Sequence, residues 1–362
     1  MSDNPLLKDL YFTDSFLQSL ADDLAQREPD FDRRAFLACC RGSGFEAMVL
    51  MKKMRHITGC LHAHVPGDYA AVLELFLEIA PAYTGFDGLV FSDYVAQYGR
   101  DDWERSLPAL RELTRVVSAE FAIRPFLRQD AQRAVPTLYE WAGDPDPAVR
   151  RLASEGSRPR LPWGMALTVF KRDPSPILPI LARLRADPSE DVRRSVANNL
   201  NDIAKDHPEL VLDLAYEWLG ESEEVNRLVK HACRTLLKAG DTRAMRLFGF
   251  ADPAQVQVAG LAVDPPQPSI GDSVFFGYDL LVETERPAQL RLEYALTFAR
   301  GGERSSRKVF FQREATFEPG RHSVKKKHSF RNLSTRKHYP GAHVLEIIVN
   351  GVIMATLEFE LA

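Results

Sequence analysis

Residues 187–194 read Asp-Pro-Ser-Glu-Asp-Val-Arg-Arg, and a close copy, Asp-Pro-Asp-Pro-Ala-Val-Arg-Arg, stands at residues 144–151. A weaker copy, Glu-Ser-Glu-Glu-Val-Asn-Arg, occupies residues 221–227. The valines of successive copies are 43 and 33 residues apart. An acidic turn that caps an apolar helix and returns about every 40 residues is typical of HEAT repeats. These stretches therefore predict stacked helix pairs that form a curved solenoid.

Aligning the three copies on their valines brings polar residues into rows along the predicted solenoid. The rows consist of Arg151, Arg194 and Arg227; of Glu155, Asn198 and His231; and of Lys205 and Lys238. Basic and hydrogen-bonding groups in register could follow a phosphate backbone, although an ordinary solvated helix face is polar as well. The candidates for nucleic-acid binding in these rows are Arg194, Asn198, Lys205, Arg227 and His231. Asn199, which follows Asn198 on the polar side of the same helix, is a further candidate.

The first copy is interrupted where the others continue as helix. Residues 155–164 read Glu-Gly-Ser-Arg-Pro-Arg-Leu-Pro-Trp-Gly, and two prolines with two glycines cannot prolong a helix. The interruption presents Arg158, Arg160 and Trp163. Arginine holds phosphate bidentately and tryptophan offers a flat face, so the break indicates a site. The alternative is that Trp163 fills a gap in the core.

Two carboxylates stand at unexpected places. Glu120 is predicted to share a helix face with apolar residues, so it is either buried against Arg124 at i+4 or lines a cleft. Asp202 belongs to a polar stripe opposite the apolar face of its helix. Two carboxylates that converge on one cleft would suit hydrolysis of a glycosidic bond through an oxocarbenium-like transition state.

The hydrophobic period changes near residue 251, from helical spacing to short runs rich in β-branched and aromatic residues between Gly and Pro turn signals. Six or seven such strands fit an immunoglobulin-like sandwich, although all four tryptophans precede the boundary and the buried strand tryptophan of antibody domains is missing. We therefore predict a mainly α fold: a HEAT-like helical-repeat solenoid over residues 1–250, followed by a C-terminal all-β immunoglobulin-like sandwich over residues 251–362.

Charge is distributed unevenly over the 362 residues. The formal net charge of −4 divides into −5 for residues 1–135, 0 for residues 136–250 and +1 for residues 251–362. Residues 300–338 alone carry 12 Lys and Arg against three Glu. Such a concentration on one face would attract a polyanion, and a solvated hairpin tip is the alternative. The candidate ligands in this segment are Lys325, Lys326 and Lys327.

Composition excludes several classes of protein. An apolar fraction of 45% argues against a disordered or fibrous chain, and no run of about 18 apolar residues predicts a membrane span. The first residues lack the features of a secretory signal, so we expect a cytoplasmic protein with reduced cysteines. His56, Cys60 and His64 have helical spacing that resembles a metal site, but a packed helix face explains it and we expect no metal.

With these residues in view, the chain resembles the AlkC family of alkylpurine DNA glycosylases. The likeness covers nearly the whole length and is most specific in residues 118–126, 154–163 and 195–202, with residues 51–55 in addition. It implies a base-excision repair enzyme that removes cationic methylated bases, N3-methyladenine and N3-methylcytosine, from double-stranded DNA in the bacterial nucleoid. It also implies removal without the usual base flipping.

The resemblance implies roles for the site residues. Glu120 would stabilise the developing sugar cation and orient water, with Asp202 as the second carboxylate. Trp163 would pack against the sugar, while Arg158 and Arg160 hold flanking phosphates. We expect no cofactor, a monomer, and a monofunctional hydrolase, since no lysine stands out as a nucleophile. The competing hypothesis is an inert HEAT scaffold that binds protein or DNA, because a solenoid fold does not define a function.

Overall fold

The computed structural model describes residues 10–300, 305–332 and 337–362. The helices are α1 (Asp14–Arg27), α2 (Arg33–Cys40), α3 (Leu50–His64), α4 (Tyr69–Ile79), α5 (Leu89–Tyr98), α6 (Trp103–Leu113), α7 (Arg124–Gln129), α8 (Ala131–Trp141), α9 (Pro147–Gly156), α10 (Thr168–Arg172), α11 (Leu178–Leu184), α12 (Glu190–Ile203), α13 (Pro208–Trp218), α14 (Glu223–Ala232), α15 (Arg234–Ala239) and α16 (Thr242–Leu247). The strands are β1 (Val256–Asp264), β2 (Ser273–Val282), β3 (Ala288–Ala299), β4 (Ser305–Phe317), β5 (Gly320–Ser329), β6 (Gly341–Val349) and β7 (Val352–Leu361). Within these residues no helix has the length and apolar character needed to cross a membrane.

The chain forms two compact units. The first comprises Met1–His207 with Leu219–Ala232, and the second comprises Pro208–Trp218 with Cys233–Ala362. The regular elements in the described part of the first are all helices, whereas the second combines helices with all seven described strands. The boundary that we place between residues 250 and 251 stays a prediction.

The repeated octapeptide builds the turn before each repeat helix. Helix α9 is capped by Asp146, whose carboxylate accepts from the backbone N–H of Ala148 at 2.8 Å. Arg150 donates to the carbonyls of the preceding turn at 2.9 Å and to the carboxylate of Asp187 in the next copy at 2.6 Å. Arg193 reaches the carbonyl of Pro188 in the same manner at 3.0 Å. In the first two copies the arginine after the valine thus fixes the turn to its helix, and Arg150 also joins the first copy to the second.

Helices α2 and α3 are joined by a disulfide between Cys39 and Cys60, whose Cα atoms are 5.9 Å apart. The prediction that all four cysteines are reduced is therefore wrong for this pair, because helix packing brings two distant positions face to face. Cys40 and Cys233 remain free and buried. The disulfide also takes the thiolate that a metal site at His56 and Cys60 would need, and the described residues contain no group of three or more metal-ligating side chains.

The strands of the second unit form an antiparallel sandwich. One sheet has the order β1-β2-β5 and the other β4-β3-β6-β7. Their facing sides share a core that includes Phe276, Tyr278, Leu280, Leu290, Leu292, Leu345 and Ile347. Alternation of inward apolar and outward polar residues produces this core. The predicted fold class, a helical-repeat solenoid followed by an all-β immunoglobulin-like sandwich, is confirmed.

The basic segment at residues 300–338 spans β4 and β5, although residues 301–304 and 333–336 lie outside the described part. In β5 the side chains alternate, so Lys325 and Lys327 are exposed on the outer side while Lys326 is half-buried. Lys327 lies opposite Phe275 of the neighbouring strand β2, and its ammonium group lies 5.5 Å from the centroid of the Phe275 ring. The expectation of a single basic face is corrected, because the strand period of two divides the three lysines between two faces.

Candidate functional site

The break after the first repeat is built around a buried arginine. Helix α9 ends at Gly156, and residues 157–167 lead to α10 without a helix. Arg124, which is 0% exposed, donates to the carbonyl of Met165 at 2.7 Å and to that of Gly156 at 2.8 Å. Burial lowers the pKa of Arg124 to about 10, so it stays charged at neutral pH. Of the two alternatives for Glu120, burial against Arg124 is wrong, since the Arg124 guanidinium donates to backbone carbonyls instead.

Glu120 lies in a series of turns between α6 and α7, so the predicted helix over this stretch is wrong. The hydroxyl of Thr114 accepts from the N–H of Ala119 at 3.2 Å, a local bond that competes with helix formation. The carboxylate of Glu120 accepts from Arg151 at 2.9 Å and from the hydroxyl of Ser118 at 3.0 Å, both on Oε2. Its side chain is 16% exposed. It is thus a partly accessible carboxylate held by an arginine.

Asp202 lies on α12 with its carboxylate buried at 2% exposure. One oxygen accepts from Nε of Arg158 at 3.0 Å, and the other accepts from Nζ of Lys205 at 3.0 Å. The same Arg158 donates through Nη1 to Glu155 at 2.6 Å. Burial opposes the charge of Arg158, but the carboxylates of Glu155 and Asp202 outweigh burial and raise its pKa. Asp202 therefore belongs to a buried ion-pair cluster.

Glu155 joins the two predicted carboxylates. Its Oε1 lies 4.0 Å from the Arg151 guanidinium that holds Glu120, and its Oε2 accepts from the hydroxyl of Ser195 at 2.6 Å. The charges therefore alternate along the series Glu120, Arg151, Glu155, Arg158, Asp202 and Lys205, which we call the ion-pair chain. Sequence reasoning placed Arg151 and Glu155 in the polar rows without assigning them to the site. Their i, i+4 spacing on α9 was the available signal.

Two of the predicted phosphate ligands, Arg158 and Asn199, are buried against protein groups, and a third, Arg160, is partly exposed and paired with a carboxylate. The Arg158 side chain is only 8% exposed, so the expectation that it holds a flanking phosphate is corrected: it binds carboxylates instead. Asn199 is 0% exposed and donates to the carbonyl of Ser154 at 2.8 Å, so the expectation that it contacts DNA is corrected by its burial. Arg160 is partly exposed and forms a bidentate pair with Asp206, and this hydrogen bonding holds the pKa of Asp206 below its ordinary value.

The aligned polar rows meet in a groove between α12 and α14. Arg194, Arg227 and His231 line a cavity of about 200 Å³ together with Glu190 and Glu224. Arg227 pairs with Glu224 at 3.0 Å, and Arg194 pairs with Asp191 one turn earlier on its helix. Asn198 is half-buried on α12, and Lys205 is exposed in the turn that follows α12. The register predicted by the repeat thus brings three of the candidates together.

Trp163 is exposed. Its side chain is accessible to 64%, so the alternative that it fills a gap in the core is wrong. Its φ of +64° is unusual for a residue with a side chain and is the kind of strain found at functional positions. Its ring lies edge-to-face with Phe86, with centroids 6.4 Å apart. The loop therefore presents a flat aromatic face to solvent while its backbone is fastened to Arg124.

Known proteins resemble this chain in sequence and in fold. Residues 257–362 match a family described as "Uncharacterised protein YhaZ, C-terminal Ig-like domain", and residues 177–207 match the HEAT repeat. A Bacillus subtilis (strain 168) protein named "Uncharacterized protein YhaZ" is 39% identical over 355 residues, covering 98% of this chain and 99% of that protein. The solved structure of Pseudomonas fluorescens alkylpurine DNA glycosylase AlkC, bound to DNA containing an abasic site analog, is 39% identical with a TM-score of 0.94, covering 99% of this chain and all of that one. The chain belongs to the AlkC family of alkylpurine DNA glycosylases.

Proposed function

We propose that this protein hydrolyses the N-glycosidic bond of cationic methylated bases, N3-methyladenine and N3-methylcytosine, in double-stranded DNA. It starts base excision repair and acts on the damaged nucleotide without flipping the base into a pocket. The observation that carries the proposal is that Glu120 and Asp202, which are distant in sequence, belong to one ion-pair chain. The likeness to AlkC bound to abasic-site DNA supports it over the full length.

The protein does not need to activate the base as a leaving group, because the methylated base already carries a positive charge. The cationic base accepts the electron pair of the breaking C1′–N bond and leaves neutral, while positive charge develops on the deoxyribose. A fixed carboxylate stabilises that charge. Water then adds its oxygen to C1′ and gives up a proton to the carboxylate of Glu120, which releases it to solvent. Oε2 of Glu120 is held by Arg151 and Ser118, whereas Oε1 has no hydrogen-bond partner among the described residues, so Oε1 is the oxygen that orients the water.

The remaining residues of the site hold this arrangement. Asp202 acts as the second carboxylate through its field and through Arg158, because both of its oxygens are occupied. The exposed face of Trp163 packs against the deoxyribose. Backbone phosphates are contacted by Arg160, Arg194, Asn198, Lys205, Arg227 and His231 on the solenoid and by Lys325, Lys326 and Lys327 on the sandwich. No Schiff-base nucleophile is used, so borohydride traps no covalent adduct with DNA.

Glu120→Gln tests the proposal because it removes the charge and keeps the shape. We expect release of N3-methyladenine from methylated duplex DNA to fall by at least about 100-fold, since one electrostatic stabiliser is lost. Affinity for abasic-analogue DNA should stay within about twofold, because phosphates supply most of the binding energy. Glu140→Gln, an exposed carboxylate on α8, is the matched control with unchanged release.

Two results would contradict the proposal. Release of the methylated base by Glu120→Gln at the rate of the unmodified protein would remove Glu120 from the reaction. A complete lack of released base at any concentration of the unmodified protein, with DNA or protein binding retained, would favour the inert HEAT scaffold. Size-exclusion chromatography with light scattering, with and without DNA, tests the monomer, and localisation to the nucleoid tests the cytoplasmic assignment.

A further inference from the structure

A second basic cavity adjoins the loop that carries Trp163. It has a volume of about 400 Å³ and is lined by Arg100, Pro125, Arg128, Gln129 and Met165. Three of these residues come from α7, one follows α5, and Met165 belongs to the interrupted repeat. None of them is in the ion-pair chain, and the sequence patterns above assigned no role to any of them.

The two arginines of this cavity differ from the arginines around them. Neither Arg100 nor Arg128 forms an ion pair with a carboxylate in the described part of the chain, and both are exposed. By contrast, the nearby Arg105 pairs with Asp102 and Arg133 pairs with Glu104. The cavity lining contains no acidic residue. Two guanidinium groups without a counter-ion, held at one concave place, favour binding of an anion.

The cavity is fixed to the candidate site by its backbone. Arg128 follows Arg124 by one turn of α7, so both lie on one side of that helix. Arg124 is the buried residue that binds the carbonyl of Met165, two residues after Trp163. Gln129 donates to the carbonyl of Arg100 at 3.4 Å and ties the turn that bears Arg100 to the end of α7. An anion in the cavity would therefore be held at a set place beside the Trp163 loop.

We propose that this cavity binds a phosphate of the DNA backbone close to the reacting nucleotide. The inference rests on the proposed function, which supplies DNA as the polyanion. The fork geometry of Arg100 and Arg128 suits the two non-bridging oxygens of a phosphodiester, and the apolar surfaces of Pro125 and Met165 suit the adjoining sugar. The contact fixes the register of the strand, so that the deoxyribose packed on Trp163 meets Glu120.

The test compares Arg100→Gln/Arg128→Gln with the unmodified protein, using a labelled duplex that contains a tetrahydrofuran abasic-site analogue. Loss of one phosphate contact should reduce the log–log salt dependence of binding by about one unit. Arg34→Gln, an exposed arginine on α2 without an ion pair among the described residues, is the matched control and should leave the salt dependence unchanged. Melting temperatures of all three proteins show whether the variants fold.

A methylphosphonate scan of the duplex locates the phosphate. One neutral linkage should weaken binding by the unmodified protein and have no further effect on the double variant. An unchanged salt dependence in the double variant, or linkage effects that add to the variant at every position, would overturn the inference. Saturable thermal stabilisation by inorganic phosphate that the variant loses, with DNA binding unchanged, would assign the cavity to free phosphate and overturn it too. Absence of DNA binding by the unmodified protein would instead refute the proposed function.

Discussion

Replacing Glu155 tests whether the ion-pair chain positions the two site carboxylates. The Glu155 side chain is 7% exposed and lies 2.6 Å from both its Arg158 and Ser195 partners. Removing one partner of a buried ion pair costs about 3 to 5 kcal/mol. Glu155→Gln keeps an acceptor oxygen and leaves Asp202 on Arg158, so we expect the lower end, about 3 kcal/mol. For a domain of this size that lowers the melting temperature by about 6 to 12 °C.

The same substitution should reduce base release at temperatures where the variant is folded. Arg151 loses the carboxylate on its far side, and a misplacement of about 1 Å at a reacting group can cost about 100-fold in rate. We expect kcat to fall by about 10- to 100-fold, while KM and the affinity for abasic-analogue DNA change little. Single-turnover base release and chemical denaturation measure the two effects separately.

Asp191→Asn is the matched control for Glu155→Gln. It breaks an i, i+3 pair with Arg194 whose side chains are 67% and 55% exposed, and exposed pairs contribute less than about 1 kcal/mol. Equal losses of stability in the two variants would refute the assignment of Glu155 to a buried network. Unchanged kcat in a destabilised Glu155→Gln protein would show that the chain supports the fold and does not position the carboxylates.

Two further predictions concern pH and salt. Burial raises the pKa of Asp144, but the N–H of Asp146 and the guanidinium of Arg111 outweigh it and hold that pKa below its ordinary value of 3.8. The interactions of Asp144 with Arg111 and Asp146 therefore stabilise the fold above about pH 4, and this stabilisation is lost as the pH falls through the lowered pKa of Asp144. In Asp144→Asn, the free energy of unfolding, measured by chemical denaturation at several pH values, should therefore fall less steeply as the pH drops below about 4. Neutralising Lys325 and Lys327 should flatten the salt dependence of DNA binding by about two units, equally for damaged and undamaged duplexes, and Lys326→Gln should have a smaller effect. An unchanged slope would make β5 a solubility feature.

The sequence predicts the repeat because its determinants are local. The acidic cap at Asp146 and the arginine that follows the valine act within one turn, so the octapeptide specifies the start of each helix. The end of α9 is predicted for the same reason, since Pro and Gly cannot continue it. The change of period at residue 251 likewise predicts the sandwich, because each strand shows its own alternation.

The packing of the polar residues in the site and the disulfide could not be predicted, because both depend on contacts between residues that are distant in sequence. The polar stripe that contains Asn199 and Ser195 has the composition of a solvated face, yet it packs on Ser154 and Glu155 of the preceding repeat. Helical spacing indicates which residues share a face and does not indicate what covers that face. Two cysteines 21 residues apart give no sign of pairing either, because pairing needs α2 and α3 to lie side by side.

The charge balance of the ion-pair chain explains how a carboxylate can serve a reaction on DNA. Three bare carboxylates near a phosphate would each repel it by about 0.4 kcal/mol at about 10 Å in water, and by more where water is excluded. In the chain, Glu120, Glu155 and Asp202 are balanced by Arg151, Arg158 and Lys205, so the long-range field nearly cancels. Attraction of the backbone then falls mainly to cations outside the chain, among them Arg100 and Arg128 of the proposed phosphate site, which form no ion pair in the described part of the chain. Close to Oε1 of Glu120 the negative charge is not cancelled, because the guanidinium of Arg151 is bound to the other carboxylate oxygen, Oε2. A cation forming on the adjacent sugar would thus be stabilised at short range without repelling the strand that carries it.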